Sequence, residues 1–340
     1  MVLAERTIPP GGEAARIEVF PGLDAATYAA HPLHLGEMAW PEKNCYVDLW
    51  IELLHTLELE PLAVLPFTLA VDFEDDQWTF FKPQLQDLQD LYGIDVQELT
   101  VWRPMIEHAA LHLARGKLIS WEADAFWLPD TEATDYRMKH TKTTIVLATL
   151  DVDAEHLGYF HNAGFFELSG EDFRNLFRIG APPDPNFLPL YAELVRIDRV
   201  VRKPRAELAA IAFDLLRRYH ELRPLTNPVE RFARSIDSDF HEIQGAGLDV
   251  YHQWAFANVR QAGSSCELSA AHLRWQAGFG HAGLLEAADA FDTLAQGMKA
   301  MVLKGARAVN SGRALDTASL RREFAPAWDR AMALVGAALA

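Results

Sequence analysis

The chain has 340 residues, half of them hydrophobic, and its 31 basic and 48 acidic residues leave a formal net charge of −17. This composition supports a buried core and excludes wholesale disorder, while the negative charge argues against general binding to nucleic acid or to anionic membrane surfaces. Two cysteines, Cys45 and Cys266, are too few for a disulfide framework or a cysteine zinc cluster.

The first half of the chain mixes helical and strand periodicities. Apolar residues at positions 46, 47, 49, 50, 53, 54 and 57 follow helical spacing and predict a helix over 45–57 with a wide buried face. A turn at Asn162-Ala163-Gly164 predicts a hairpin over 157–168. The other predictions are a strand over 77–82, a helix over 84–92, a strand over 96–101, a helix over 105–115, and strands over 117–127 and 143–150.

The pattern changes after about residue 180. Residues 181–189 contain four prolines and no periodicity, which is typical of a linker. Helical patterns follow over 205–222, 228–243, 248–262, 269–278, 284–309 and 314–339. We therefore predict an α+β fold in which a domain of helices and antiparallel sheet, residues 1–185, precedes an all-helical domain, residues 186–340. Because we find neither a signal-peptide pattern nor about 18 consecutive apolar residues, we expect a cytoplasmic protein without membrane attachment.

Cys45 has the position of a reactive cysteine. It begins the predicted helix 45–57 directly after Asn44, a residue type that favours the N-cap. The unpaired backbone N–H groups and the positive end of the helix dipole stabilise a thiolate there, and the same groups can bind an oxyanion. The alternative is a small buried hydrophobic residue, as most free cysteines are.

A nucleophilic cysteine needs a base and a group that orients the base. His140 immediately precedes residue 141, where the stretch that contains the predicted strand 143–150 begins, and Asn162 lies at the turn of the hairpin that follows. The order Cys, His, Asn is that of a papain-like triad. The alternatives are an exposed histidine at a strand end, an ordinary turn asparagine, and Asp151 or Asp153 as the orienting group.

A longer block carries a family resemblance. Residues 119–129 read Ile-Ser-Trp-Glu-Ala-Asp-Ala-Phe-Trp-Leu-Pro, and Tyr136, His140, a β-branched strand, Gly158-Tyr159, Asn162 and Leu168-Ser169 follow. This block resembles the N-terminal domain of the butirosin-biosynthesis H-type acyltransferase family, which is similar to papain-like double-glycine leader peptidases. Asn227-Pro228, Tyr251 and residues 243–247, 254–256 and 286–288 resemble its helical module. The chain also looks like an uncharacterised bacterial branch associated with amino acid–carrier protein ligases.

The resemblance implies a papain-like acyltransferase. Cys45 would be the nucleophile, His140 the base and Asn162 the orienting residue. The enzyme would move an acyl or aminoacyl group from a carrier-protein thioester to a small amine. No cofactor or metal would be bound, since the phosphopantetheine arm belongs to the carrier. The sequence departs from the pattern at Ala39, where the leader peptidases carry an oxyanion-binding Gln, and at Asn162, where Asp is usual.

Further candidate residues surround this triad. Trp40, Glu37, Asn44 and Asp124 are expected at the substrate, and an acidic carrier would need basic residues such as Arg199, Arg202, Lys203 and Arg205. A solvated basic helix face is the alternative for that cluster. Cys266, which we expect at a helix start, is the rival nucleophile, and His31, His34 and Glu37 form a weak metal pattern.

Two other functions fit the same residues. A cysteine peptidase or amidase would use water instead of the amine as the acceptor. A degenerate papain-like module would bind an acylated carrier without any chemistry. Replacing Cys45 separates the module from both enzymes, because only the enzymes need the thiol.

Overall fold

The computed structural model describes residues 16–36, 38–182 and 189–340. These residues form two compact units. The sheet unit contains residues 16–31, 48–56 and 93–201, and the helical unit contains residues 32–47, 57–92 and 202–340, without the undescribed positions.

The sheet unit is built on an antiparallel sheet of seven strands in the order β2-β7-β3-β4-β5-β6, with β1 paired to β4. The strands are β1 (Ile17–Glu18), β2 (Asp95–Glu98), β3 (Leu118–Asp124), β4 (Lys142–Asp151), β5 (His156–His161), β6 (Gly164–Ser169) and β7 (Ala192–Arg196). Helices α3 (Met105–Leu113) and α4 (Glu171–Leu176) belong to the same unit, and α1 (Cys45–Thr56) has residues in both units.

The core of the sheet unit centres on β4. Residues 145–150 of this strand are all buried, and they read as a nearly continuous apolar run instead of an alternating one. A strand covered on both faces has this pattern. A bulge between Leu147 and Thr149 shifts its pairing with β5.

The helical unit contains the helices α2 (Leu85–Tyr92), α5 (Arg205–Glu221), α6 (Pro228–Ala246), α7 (Leu248–Ala255), α8 (Gln261–Ala277), α9 (Leu284–Ser311) and α10 (Ala325–Leu339). A 3₁₀ segment, Pro61–Ala70, packs against α5 and α8. The start of α6 illustrates local sequence control: the Asn227 side chain accepts a hydrogen bond from the Glu230 backbone N–H, and Pro228 occupies the first turn.

The predicted α+β fold, with an antiparallel sheet and a helical C-terminal part, is confirmed. The predicted boundary at 185 differs from the structure, because β7 lies beyond it and pairs with both β2 and β3. Residues 57–92, which we placed in the first domain, belong to the helical unit. The strand predicted over 77–82 is wrong, since that stretch forms one isolated bridge between Phe73 and Trp78. In the described part of the chain, no helix is long and apolar enough to cross a membrane.

Candidate active site

Cys45 is the first residue of α1, as the sequence predicts. The Asn44 side-chain oxygen accepts hydrogen bonds from the backbone N–H groups of Tyr46 (3.1 Å) and Val47 (2.9 Å), which makes Asn44 the N-cap. Cys45 itself is partly exposed and forms no disulfide. The thiol therefore lies at the positive end of a capped helix.

Two residues expected at the substrate are instead structural. The Asn44 amide group donates to the Phe81 carbonyl (3.0 Å), so both ends of this buried side chain are bonded within the protein. Trp40 is 4% exposed and its indole N–H donates to the Ala295 carbonyl (3.1 Å). The prediction that these two contact substrate is wrong, because packing and backbone bonding occupy them. Glu37 lies outside the described residues.

The loop before Cys45 is held by a buried carboxylate. Glu267 of α8 accepts hydrogen bonds from the backbone N–H groups of Ala39 (2.6 Å) and Trp40 (3.1 Å). Burial raises the pKa of Glu267, while the charge of Lys43 and the two backbone donors oppose that shift. The Lys43 ammonium is itself fully buried and donates to the Leu33 carbonyl. These contacts fix the backbone that leads into α1.

Cys266 does not have the position expected of the rival nucleophile. It lies in the second turn of α8, and not at a helix start as the sequence suggested. Burial raises the pKa of its thiol to about 12, so almost none of it is thiolate at neutral pH.

His140 is paired with Asp124. The His140 Nδ1 and Asp124 Oδ2 atoms are 2.7 Å apart, and the imidazole stacks on the Phe126 ring with a centroid distance of 4.4 Å. The other carboxylate oxygen, Oδ1, accepts from the Phe126 backbone N–H (3.1 Å) and thereby caps the turn Ala125–Trp127. A carboxylate on Nδ1 favours the tautomer in which Nε2 carries no proton, so Nε2 can act as a base.

Strand register explains this pair. Asp124, the last residue of β3, pairs with Lys142, the first residue of β4. His140 stands two positions from Lys142, and diagonal neighbours of this kind lie within reach on one face of an antiparallel sheet. The Ala125 N–H donates to the Thr141 carbonyl (2.9 Å) and extends the ladder to this point. The signal for this pair in the sequence was that Asp124 lies near the end of one predicted strand and His140 just before the start of the next.

Asn162 does not orient His140, so this part of the predicted triad is wrong. The pairing of Val146 with Phe160 places Asn162 opposite Thr144, four residues or roughly 13 Å along the strand from His140. Asn162 instead forms the turn between His161 and Gly164, with a left-handed φ of 44°. Asparagine tolerates this conformation better than most residues, which gives it a local structural role.

Sequence reasoning also missed a second, fully buried histidine–carboxylate pair. His161 Nδ1 lies 2.5 Å from Asp130 Oδ2, and Tyr159 donates to Asp130 Oδ1 (2.5 Å). The Thr143 hydroxyl bonds the other ring nitrogen of His161 (2.7 Å). Burial, and then the charge of Asp130, raise the pKa of Tyr159 well above its usual value. Both side chains of the pair are only 2% exposed, so this network braces the sheet and is closed to substrate.

A cavity of about 1060 Å³ opens beside His140 and Asp124. All of its described lining residues belong to the sheet unit. Its wall is rich in indole rings and basic side chains, including Trp102, Trp121, Trp127, Arg103, Lys142 and Arg178. Large concave sites with a few convergent polar groups are the usual form of a ligand site. Cys45 belongs to the helical unit and His140 to the sheet unit, so the predicted pairing of these two residues stays a prediction.

The residues expected to dock a carrier have mixed surroundings. Arg202 donates to the Leu57 carbonyl (3.1 Å), and Lys203 donates to the carbonyls of Asp90 (2.9 Å) and Leu91 (3.0 Å) in the last turn of α2. A cation at a helix C-terminus is a structural contact. Arg199 and Arg205 are exposed. Docking by the four residues stays a prediction.

Among the residues that the structure describes, no three His, Cys, Asp or Glu side chains are grouped so as to hold a metal ion. His31 and His34 of the weak sequence pattern are described, whereas Glu37 is not.

The fold and site define an α+β protein in which an antiparallel-sheet unit presents a histidine–aspartate pair to an open cavity. Comparison with family models gives two matches, the DUF1839 N-terminal domain at residues 29–197 and the DUF1839 C-terminal domain at residues 205–337. The chain belongs to the DUF1839 family. Comparison with curated proteins gives no match. The interval between the two matches, 198–204, follows β7 and precedes α5, which agrees better with the structure than the boundary predicted at 185.

Proposed function

We propose that the protein is an acyltransferase in which His140 is the general base that deprotonates an acceptor amine. The observation that carries this proposal is the 2.7 Å contact between His140 Nδ1 and Asp124 at the wall of the cavity. No described residue bonds the His140 Nε2 atom, so that nitrogen is available to a ligand. A neutral imidazole held by a carboxylate is well suited to accept a proton.

The reaction balances without an added cofactor. The amine nitrogen attacks the carbonyl carbon of a thioester, and its proton passes to His140 Nε2. As the tetrahedral intermediate collapses, the C–N bond remains, the C–S bond breaks, and the leaving thiolate takes the proton from the imidazolium. The carboxylate of Asp124 stabilises the imidazolium in between.

Two observations support the nature of the acyl donor and of the covalent intermediate. The resemblance of residues 119–169 to carrier-dependent acyltransferases supports a phosphopantetheine thioester as the donor. The position of Cys45 at a capped helix start supports an acyl-cysteine intermediate. In that route Cys45 first replaces the carrier thiol, and the amine then attacks the acyl-Cys45 thioester.

Intact mass spectrometry tests this proposal. Full-length protein is incubated with acylated or aminoacylated carrier protein, alone and then with an amine. We expect a mass increase of one acyl group that requires Cys45, disappears in Cys45→Ala, persists in Cys266→Ala, and is discharged by the amine. Release of free acid without an amine would identify a hydrolase. Neither an adduct nor an amide product would contradict the proposal.

A further inference from the structure

Cations outnumber carboxylates in the lining of the cavity, whereas acidic residues outnumber basic ones in the chain. The described lining contains the three cations Arg103, Lys142 and Arg178 and one carboxylate, Asp124. The whole chain carries −17. Asp124 is already bonded to His140. A local excess of cations raises the concentration of anionic ligands at a site.

The same wall is aromatic. Trp102, Trp121 and Trp127 line the cavity, and Trp102 is 62% exposed. Trp121 is only 5% exposed, and it stacks at a centroid distance of 5.4 Å on the Phe177 ring, which also lines the cavity. Trp127 packs edge-on against Phe126 (4.7 Å), the ring that stacks on His140. The base and the indole wall therefore share one aromatic neighbour.

Arg103 retains hydrogen-bonding capacity for a ligand. Its guanidinium lies 4.2 Å from the centroid of the Trp102 ring, and the nearest carboxylate among the described residues, Glu107, is 3.6 Å away, beyond hydrogen-bond distance. Lys142 is paired with Glu122 (2.7 Å), but its side chain is 66% exposed. Exposed pairs of this kind are weak, so a ligand carboxylate can compete for both cations.

From these contacts, and resting on the proposed function, we infer that the acceptor is an amine that also carries a carboxylate and an aromatic ring, as an aromatic amino acid does. The carboxylate would lie against Arg103 and Lys142, the ring against the indoles, and the amine at His140. Indoles also favour cationic guests, but three cations in the same wall oppose one.

Calorimetric titration of the full chain with four matched probes tests this inference. L-phenylalanine and 3-phenylpropionate carry both ring and carboxylate, phenethylamine lacks the carboxylate, and L-alanine lacks the ring. We expect the first two to bind at least about tenfold more tightly than the others. Equal or tighter binding of phenethylamine, or no binding of the two aromatic carboxylates, would overturn the inference.

Variants localise the binding. Arg103→Gln and Trp102→Leu should each weaken L-phenylalanine binding by about tenfold. The matched controls Arg217→Gln and Phe80→Leu change exposed residues outside the cavity and should leave it unchanged. Equal effects of both sets would overturn the inference.

Product analysis separates the two proposals. If L-phenylalanine binds but no amine is acylated, the proposed function fails. If L-alanine is acylated and L-phenylalanine is not, only the inference about the acceptor fails.

Discussion

At the scale of single residues, the proposed chemistry depends on how the His140 side chain is held. The imidazole is 69% exposed, so it is not fixed by burial. Its orientation comes from the Asp124 carboxylate on one nitrogen and from the Phe126 ring on one face. An exposed imidazole oriented in this way keeps its second nitrogen open to the cavity.

We predict that Asp124→Asn lowers the rate of acyl transfer by about 10²-fold or more, because an amide favours the wrong tautomer as readily as the right one. The rate is measured by following amide product from an acylated carrier. Asp214→Asn is the control, since Asp214 is 77% exposed and is paired with Arg217 on the surface of α5. Equal rates for wild type and Asp124→Asn would remove Asp124 from the mechanism.

The residues of the site were predictable to different degrees. The position of Cys45 at a helix start capped by Asn44 was predicted correctly, because capping is a local pattern of adjacent residues. The partner of His140 was misassigned, because it depends on the register between two strands and not on position along the chain. Asp124 was named for the substrate, whereas β3–β4 pairing places it on His140.

At the scale of elements, the segment before α1 is locked to two helices of its unit. Glu267 of α8 bonds its backbone, and Trp40 packs against Gly263 of α8 and bonds Ala295 of α9. A β-carbon at Gly263 would lie 2.4 Å from the Trp40 ring. A larger residue at position 263 would therefore clash with the Trp40 ring, so the close packing of this ring on α8 requires a glycine.

Two helical glycines give a matched prediction. Gly263→Ala should lower the free energy of unfolding by about 1–3 kcal/mol, because the rigid indole must move. Gly245→Ala in α6 should be neutral or stabilising by up to about 1 kcal/mol, since nothing lies within 4 Å of its added β-carbon. Urea denaturation measures both. An unchanged free energy of unfolding in Gly263→Ala would show that the Trp40 ring can move away from α8 without cost.

The elements that were predicted correctly are those with strong local patterns, such as α1, α5, α9 and the β5–β6 hairpin. The strand β7 was not predicted, because five residues after a proline-rich stretch have little local signal. It is fixed by pairing with β2 and β3, which lie about 70–100 residues earlier in the sequence. Because β7 pairs with strands of the sheet unit, this unit extends beyond the boundary predicted at 185.

At the scale of the whole molecule, stability should depend on pH through His272. This residue is 1% exposed, and its Nδ1 donates to the Leu62 carbonyl (2.8 Å). Burial lowers its pKa from 6.5 to about 4. Between these pH values the unfolded chain binds a proton that the folded chain does not, so stability falls as pH falls.

We predict that His272 contributes a loss of about 3 kcal/mol in the free energy of unfolding between pH 7 and pH 4. His272→Gln keeps a donor for the Leu62 carbonyl and should remove the contribution of His272 to the pH dependence of the free energy of unfolding. The control His241→Gln changes an exposed histidine and should leave that pH dependence unchanged. Urea denaturation at several pH values measures the difference. Identical slopes for wild type and His272→Gln would show that His272 does not cause it.

The most direct test of the central claim is the rate of acyl transfer to an amine by wild type, His140→Gln and His241→Gln at one pH. The claim predicts that His140→Gln lowers the rate by about 10²–10⁴-fold, the usual contribution of a general base, while His241→Gln keeps the wild-type rate. A wild-type rate in His140→Gln would contradict the assignment of His140 as the base.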